Sequence, residues 1–285
     1  MEMTYDDVVT AAHSDRRQFV EVEHHGDHAI VRLTDPERRN ALSAPMMVQL
    51  LDAVSTLTRE RGIRVVVLTG DDGAFSAGGD LQMMTEQTRR QFSPEDTEGA
   101  YLPMQWIRHQ FGAMARLIAR SDTTFIAALD GPAAGVGLAF ALTCDLAIAA
   151  DTAILVPAFG RLGLVPEVGT SWALTRAMGY RRAFEFYVGG RHLDASEALR
   201  LGLVNEVVGR DQLRDTVLQW TRRIADLPPH AVPIAKPLLR SAADTSWEQT
   251  LMMEELAEPI CFTTAGFRRG VADVASAVHR RSTGQ

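Results

Sequence analysis

The chain has 285 residues, of which 46% are hydrophobic and 23% charged, and its formal net charge is −7. A chain of this length buries about three quarters of its unfolded surface, so it forms a large core without needing a disulfide or a metal. The acidic balance, with no basic block to offset it, argues against general nucleic-acid binding.

The cysteine content and the hydropathy of the chain bear on its location. Cys144 and Cys261 lie far apart in apolar contexts, which predicts neither a disulfide framework nor a zinc site and fits a reducing compartment. There is no stretch of about 18 uncharged apolar residues, and the acidic N-terminus does not resemble a signal or transit peptide. We therefore expect a cytoplasmic protein that spans no membrane and binds no metal.

The first elements along the chain are an arm, a hairpin and a helix. Residues 1–18 are mostly polar without clear periodicity, which predicts a loose or partner-packed N-terminal arm. Residues 19–33 alternate between apolar and polar around Gly26, as in a β-hairpin. Residues 44–61 repeat apolar positions at helical spacing.

The next segments continue the alternation of strand and helix. Residues 64–69, 124–129 and 146–150 are continuous apolar runs typical of buried strands. Residues 85–99 are polar and predict a mobile loop or a poorly ordered helix, whereas residues 104–120 again show helical spacing. This alternation indicates an α/β core.

Beyond residue 210 the strand patterns end and helical ones take over. We therefore divide the chain into an arm at 1–18, a core at 19–210 and a helical C-terminal region at 211–285. Within that last region, helical patterns occupy residues 212–226, 233–241, 247–260 and 264–280.

Two glycine-flanked turns carry most of the functional information. Phe75–Leu81 and Gly131–Leu138 each follow a predicted buried strand and each lead into a predicted helix. Small residues let the backbone approach a ligand closely, and a helix N-terminus offers unpaired N–H groups to an anion. Two such donors converging on one point would form an oxyanion hole, which stabilises negative charge on a carbonyl oxygen.

The two turns resemble motifs of the crotonase (enoyl-CoA hydratase/isomerase) superfamily. The first is similar to F-C/S/A-A-G-A/G-D-L/I and the second, continued to Asp145, to G-x-A-x-G-x-G followed by C-D. Further matches lie in the same order at Pro36–Leu42, Arg161–Glu167 and Ala198–Asn205, so the resemblance spans roughly residues 19–282. It implies an α/β fold of ββα units wound into a spiral, a helical C-terminal region used in trimer assembly, and an acyl-CoA thioester as ligand.

The resemblance implies roles for two backbone donors and one carboxylate. It makes the N–H groups of Ala77 and Val136 the oxyanion donors. Hydratases of the superfamily activate a water with two glutamates, but the matching positions here are Ala139 and Phe159. Glu167 falls where an isomerase branch carries its catalytic Glu or Asp, and apolar neighbours are expected to raise its pKa for proton transfer.

Other residues are implied in substrate binding. The loop that lies beside the CoA nucleotide in relatives matches Arg38, Arg39 and Ala41. The resemblance also implies that Phe262, Arg280 and Arg281 correspond to residues that touch the nucleotide from a neighbouring subunit. The remaining binding residues implied along the thioester are Gly78, Gly79, Asp80, Leu81, Gly135 and Phe159. The acyl pocket is expected to draw on Met83, Met84, Trp106 and Phe111.

These features favour an enoyl-CoA delta-isomerase of fatty acid metabolism, with Glu167 as the only proton shuttle and no cofactor besides the CoA of its substrate. An unconventional enoyl-CoA hydratase and a non-catalytic acyl-CoA-binding protein are the alternatives. A dehalogenase branch, whose Asp at the same position attacks a halogenated aromatic ring, is a remote option. We expect a trimer or a dimer of trimers.

Overall fold

The computed structural model describes residues 4–91 and 99–283, with side chains described for 4–86 and 99–276. It divides into two compact units, Met1–Thr221 and Arg222–Gln285. The strands of the described chain, all in the first unit, are β1 (Val20–His24), β2 (His28–Leu33), β3 (Val65–Gly70), β4 (Thr124–Leu129), β5 (Ala133–Ala134), β6 (Leu146–Ala150), β7 (Ile154–Val156), β8 (Leu193–Asp194) and β9 (Glu206–Val208).

The helices follow the same chain order. They are α1 (Tyr5–Ser14), α2 (Ala44–Leu57), α3 (Leu81–Gln91), α4 (Tyr101–Trp106), α5 (Gly112–Arg120), α6 (Gly135–Thr143), α7 (Thr170–Met178), α8 (Tyr180–Gly189), α9 (Ala195–Arg200), α10 (Leu213–Ala225), α11 (Ala231–Ser241), α12 (Trp247–Phe262) and α13 (Ala265–Thr283). A π-helical segment, Ile107–Phe111, joins α4 to α5.

Two sheets organise the first unit. The larger has six strands in the order β1-β2-β3-β4-β6-β9, and the smaller has three in the order β5-β7-β8. The predicted hairpin is present as the antiparallel pair β1 and β2, whereas β2 through β9 of the larger sheet run parallel. Parallel strands place their carboxyl ends at one edge, so the turns that follow β3 and β4 meet there.

The predicted buried strands are the centre of the core. Every residue of β3 and β4 is buried, as expected for parallel strands that are covered on both faces. Their β-branched and other apolar side chains fit this position because they pack well on a pleated, water-free surface. Helices α2, α5 and α6 contribute Leu50, Ile118 and Phe140 to the same core.

The N-terminal segment differs from the loose arm that its polarity predicts. It forms α1, whose start is fixed by a capping box between Thr4 and Asp7. Ala12 is buried in the core, and His13 Nε2 lies 3.2 Å from the Asp52 carboxylate on α2. Tyr5, Val8 and Val9 also pack against the core and dock this helix. The helix is too short to show a clear helical period in the sequence.

The polar segment at 85–99 is described only at its two ends. Its first part continues α3 to Gln91, in agreement with the helical alternative. Residues 92–98, which include Pro94, lie outside the described residues. Gly99 has a φ of 51°, a conformation that glycine adopts without strain.

The second unit contains α11, α12 and α13, as the helical patterns predict. Pro237 and Pro259 lie inside α11 and α12, and a capping box between Ser246 and Gln249 begins α12. In this unit Phe262 and Phe267 place their ring centroids 4.9 Å apart.

Candidate active site

The two glycine-flanked turns pack directly against each other at the carboxyl edge of the larger sheet. The N–H groups of Phe75 and Ser76 both donate to the carbonyl of Pro132, at 3.0 and 3.1 Å. In return, the N–H of Ala134 donates to the carbonyl of Ser76 at 2.9 Å. The turns that the sequence places 50 residues apart therefore form one backbone unit.

Glycine is required at this contact because the backbones approach so closely. A Cβ at Gly78, whose φ is 89°, would lie 2.6 Å from the carbonyl oxygen of Ala134. A Cβ at Gly137 would lie 2.6 Å from the Cβ of Ser76. Either side chain would force the two turns apart.

Ala77 is not the free donor that the resemblance implies. Its N–H donates to the carbonyl of Arg39 at 2.8 Å, and the next N–H, of Gly78, donates to Ser76 Oγ at 3.1 Å. Within the described chain, no acceptor is recorded for the N–H of Gly79. The available donor of the first turn is therefore the N–H of Gly79, two residues after Ala77. The N–H groups of Ala77 and Gly78 are used in hydrogen bonds that stabilise the turn.

The second donor that the resemblance implies is the N–H of Val136. Val136 lies in the first turn of α6, where backbone N–H groups have no intrahelical acceptor. No partner for its N–H is recorded in the part of the chain that the structure describes. Gly135 before it has a φ of 49°, which lets the chain turn sharply into the helix.

Asn40 is a structural residue of the site that sequence reasoning missed. It is fully buried with a φ of 56°, and its Oδ1 accepts from the N–H of Asp35 at 2.9 Å. Its Nδ2 donates to the carbonyls of Asp71 and Ala74 at 3.0 and 2.8 Å, and its own carbonyl accepts from Ser76 Oγ at 2.7 Å. Asn40 thus ties three loop segments to the first turn. The sequence offers one signal for this role, the asparagine itself, because asparagine tolerates a left-handed backbone conformation better than most residues.

Arg38 and Asp80 form an ion pair beside the first turn. Arg38 Nη1 lies 3.1 Å from the carboxylate of Asp80, whose side chain is buried. The other Asp80 oxygen accepts from the N–H of Met83 at 2.9 Å and so caps α3. Asp80 therefore anchors the loop of Arg38 and Arg39, and Arg39 itself is exposed.

Glu167 is held by a tight turn before α7. The N–H of Thr170 donates to the carbonyl of Glu167 at 2.9 Å, and the two residues between them, Val168 and Gly169, have φ values of 57° and 86°. A β-branched residue at positive φ is strained, and such strain is concentrated at functional sites. Ser171 Oγ also donates to the carbonyl of Pro166 at 2.9 Å, which fixes the entry to the turn.

Burial raises the pKa of the Glu167 carboxyl above its ordinary value, and desolvation is the cause of this shift. Among the described residues, no ion pair or hydrogen bond to this carboxylate is recorded. A carboxyl group in such surroundings holds its proton more readily, which suits it to accept a proton and return it.

Two adjoining cavities bring these groups together. The smaller, of about 280 Å³, is lined by Ala77, Gly79, Gly135, Val136 and Glu167 among others. The larger, of about 820 Å³, shares Gly79 and Glu167 with it and has a mostly apolar wall. That wall includes the four residues predicted for the acyl pocket and several neighbours: Met83, Met84, Trp106, Phe111, Leu42, Pro103, Ile107, Leu162 and Leu164.

The two positions that carry glutamates in hydratases are apolar and buried here. Ala139 lies on α6 and is buried, and Phe159 lines the smaller cavity. Of the described residues that line either cavity, the carboxylates are Asp80 and Glu167. Since Asp80 is committed to Arg38 and to the start of α3, Glu167 is left as the carboxylate free to move a proton.

The predicted nucleotide contacts near the C-terminus are less fully described. Phe262 lies at the end of α12 in the second unit and is 52% exposed. The side chain of Arg280 lies outside the described residues. Contacts of Phe262, Arg280, Arg38 and Arg39 with CoA stay predictions.

Comparison with known proteins decides the family. The sequence profile of the enoyl-CoA hydratase/isomerase family matches residues 25–273. This chain belongs to that family. The crystal structure of an enoyl-CoA hydratase/isomerase from Cupriavidus metallidurans CH34 superposes with a TM-score of 0.83 at 28% identity, covering 92% of this chain and 95% of that one. The family and the crotonase-type fold that the motifs predict are thus confirmed.

Relatives within the hydratase/isomerase family have different activities. The chain is 31% identical over 235 residues to 4-chlorobenzoyl coenzyme A dehalogenase-2 from an Arthrobacter species, covering 82% of each protein. It is 30% identical over 250 residues to 1,2-epoxyphenylacetyl-CoA isomerase from Escherichia coli K12, covering 87% of this chain and 92% of that protein. Family membership makes this chain an acyl-CoA-processing enzyme, and the residues of the site must decide the reaction.

In keeping with this enzyme family, none of the described helices combines the length and the apolar character needed to cross a membrane.

Proposed function

We propose that the chain is an enoyl-CoA delta-isomerase that moves a carbon–carbon double bond from C3–C4 to C2–C3 of an acyl-CoA. The observation that supports this proposal is the position of Glu167. It is a desolvated carboxyl without a charged partner among the described residues, and it lines the same cavity as two unpaired backbone N–H groups.

In this mechanism the thioester carbonyl accepts hydrogen bonds from the N–H groups of Gly79 and Val136. These donors are fixed before the substrate arrives, so they stabilise the negative charge that develops on the oxygen without reorganising. Each is worth about 2.7–4 kcal/mol of transition-state stabilisation. The C2 proton of the bound thioester becomes correspondingly more acidic.

Glu167 then carries the proton. Its carboxylate removes a proton from C2, and the electron pair left behind is delocalised over C2, C3, C4 and the carbonyl oxygen as a dienolate. The Glu167 carboxylic acid returns the same proton to C4, so that the double bond ends between C2 and C3 and the carboxylate is regenerated. The step needs no activated water and no cofactor besides the CoA of the substrate.

The apolar residues at the two hydratase positions favour this reaction over hydration. Neither Ala139 nor Phe159 can position or deprotonate a water molecule, and both are buried. An unconventional hydratase would have to use Glu167 alone. A non-catalytic acyl-CoA-binding protein would have no use for a desolvated carboxyl held on a strained turn beside Val168.

The similarity to 4-chlorobenzoyl coenzyme A dehalogenase-2 favours a second candidate function. In it the Glu167 carboxylate would attack a halogenated aromatic ring of the acyl group and displace halide. Both reactions start from the Glu167 carboxylate, but only isomerisation needs it to act as a base, and its raised pKa makes it a stronger one. Isomerisation is therefore the first proposal.

We also propose that the enzyme works as a trimer or a dimer of trimers in the cytoplasm, within fatty acid metabolism. Large exposed apolar side chains in the second unit support assembly, because contact between subunits would remove them from water. They are Leu239, Trp247, Leu256 and Val274.

Replacing Glu167 with glutamine tests the proposed reaction. The wild type should convert 3-enoyl-CoA to conjugated 2-enoyl-CoA faster than it hydrates that product. Glu167→Gln keeps the shape but removes the base, so the rate of isomerisation should fall about 10²–10⁴-fold. Glu185→Gln, which changes an exposed glutamate on α8 outside both cavities, is the matched control and should retain the wild-type rate.

Other outcomes would assign a different function. Hydration that survives Glu167→Gln would reject the single-carboxylate mechanism. A wild type that binds acyl-CoA but isomerises none would favour the non-catalytic protein. Chloride release from 4-chlorobenzoyl-CoA, without isomerisation of 3-enoyl-CoA, would favour the dehalogenase.

A further inference from the structure

The N-terminal helix α1 contacts the wall of the larger cavity through Tyr5. The Tyr5 ring centroid lies 6.3 Å from that of Trp106 and 5.7 Å from that of His109. The Tyr5 hydroxyl accepts a hydrogen bond from Nε2 of the buried Gln110 at 2.8 Å. One side chain of α1 therefore contacts the last residue of α4 and two residues of the segment that joins α4 to α5.

That segment has an unusual backbone. Ile107–Phe111 is π-helical, a conformation that is rare and frequent at functional sites. Trp106, Ile107 and Phe111 all line the larger cavity. The conformation of this segment therefore sets the shape of the cavity wall.

The contacts continue from the wall to the helix of the second oxyanion donor. The Trp106 and Phe111 rings meet edge to face with centroids 6.2 Å apart, and Phe111 meets Phe140 of α6 at 6.3 Å. Edge-to-face pairs at such distances are favourable beyond their buried area. A series of rings thus runs from Tyr5 to α6.

Helix α1 precedes residue 25, where the match to the family profile begins. It is nevertheless a defined element, with its own capping box and with His13 beside Asp52 of α2. The support that Tyr5 gives to the wall thus comes from outside the family-matched region.

We propose that Tyr5 is a positioning residue that determines the specificity of the enzyme for long acyl groups, by holding Trp106 and Phe111 against the acyl chain. This inference rests on the proposed function in taking the larger cavity as the acyl site. Tyr5 is not among the cavity-lining residues, so it acts through its neighbours. A long acyl chain reaches the wall, whereas a four-carbon group ends near Glu167 and gains little from it.

The test compares binding of two saturated acyl-CoAs, which cannot be isomerised, by isothermal titration. In Tyr5→Ala the affinity for decanoyl-CoA relative to butanoyl-CoA should fall about 2- to 10-fold, a loss on the scale of one hydrogen bond. Tyr5→Phe, which removes only the hydroxyl, should give a smaller fall in the same direction. His13→Ala removes a contact of α1 with α2 and should leave the ratio unchanged.

Kinetics give a second readout. With the 3-enoyl-CoAs of matching length, Tyr5→Ala should raise KM for the long substrate and leave kcat unchanged, because the reacting carbons do not touch the wall. Circular dichroism of each variant establishes that the fold is intact. If Tyr5→Ala does not fold, the single-atom change Tyr5→Phe carries the test.

Two results would overturn the proposal while leaving the acyl-CoA site in place. One is an unchanged affinity ratio in folded Tyr5 variants, and the other is an equal change in His13→Ala, which would trace the effect to docking of α1 in general. Failure of the wild type to bind either acyl-CoA would instead overturn the proposed function and this inference with it.

Discussion

At the scale of single residues, the burial of Glu167 links catalysis to stability. Its carboxyl has no recorded partner among the described residues to offset the loss of water, and this raises its pKa. A raised pKa in the folded state means that the folded protein binds the proton more tightly than the unfolded chain does. Ionised Glu167 therefore lowers the free energy of unfolding. The carboxyl proposed to carry the proton thus reduces the stability of the fold.

We expect Glu167→Gln to be more stable than the wild type at neutral pH. Above the pKa of Glu167 in the folded state, the wild type must bury a charge that glutamine lacks. Below the ordinary glutamate pKa of 4.5, both folded and unfolded wild type are protonated, so the difference should vanish. Urea unfolding at neutral pH and below pH 4.5 measures it, and a glutamine variant less stable than wild type at neutral pH would reveal a stabilising partner for the carboxylate.

How far a residue of the site can be predicted from the sequence depends on how local the cause of its position is. Val136 follows from the rule that the first turn of a helix leaves its N–H groups free, and this can be recognised in a sequence. The choice between Ala77 and Gly79 cannot, because it depends on the carbonyl of Arg39, which comes from a distant loop. Asn40 escaped notice for the same reason, since its partners are backbone groups in segments that only the fold brings together.

At the scale of elements, the first turn of α6 contains a backbone N–H, that of Val136, which we propose to act in catalysis. The N–H of Val136 supports no recorded contact within the described chain, so its removal should cost the fold little. Proline is tolerated at a helix start, and Gly135 before it has no Cβ with which the proline ring could clash.

Val136→Pro should therefore reduce isomerisation about 10²–10³-fold with little change in thermal stability, because it deletes one oxyanion donor. Val136→Ala keeps the N–H and is the matched control, which should remain active. Assays of both variants on 3-enoyl-CoA, together with their melting curves, make the comparison. Full activity in a folded proline variant would show that the carbonyl is not held at Val136.

Strands and helices could be predicted from the sequence where their hydrophobic pattern was long or where every residue of the element was buried. β3 and β4 are uninterrupted apolar runs, and α2 repeats its apolar positions over several turns. Helix α1 was not recognised, because ten residues give too few turns for a period to stand out. The π-helical segment has no sequence signature of its own, so residues 104–120 could only be predicted as one continuous helix.

At the scale of the whole molecule, the strand order joins residues that no local pattern connects. The sequence shows strands and helices in alternation, but the order β1-β2-β3-β4-β6-β9 and the second sheet depend on long-range pairing. The spiral was therefore predicted from the family motifs and not from the periodicity of the chain. The same motifs predicted an acyl-CoA ligand.

We expect acyl-CoA to raise the melting temperature of the whole protein with increasing dose. A ligand that binds only the native state adds about 2.7 kcal/mol of stability when its concentration is 100 times Kd. Thermal unfolding with short-, medium- and long-chain acyl-CoA measures this, and NAD and ATP are controls that should produce no shift. Melting curves unmoved by all three chain lengths would remove CoA thioesters from consideration as ligands.

The close packing of the two glycine turns has a consequence for how the enzyme responds to its surroundings. The distance between the Gly79 and Val136 donors is fixed by the close packing of the two turns, with Gly78 against the backbone of Ala134 and Gly137 against Ser76. No ionisable group takes part in these contacts, so neither acid nor added salt can loosen them, as they would a charged clamp. Glu167, which carries the proton, responds to pH, whereas the contacts that hold the two turns against each other contain no group that titrates.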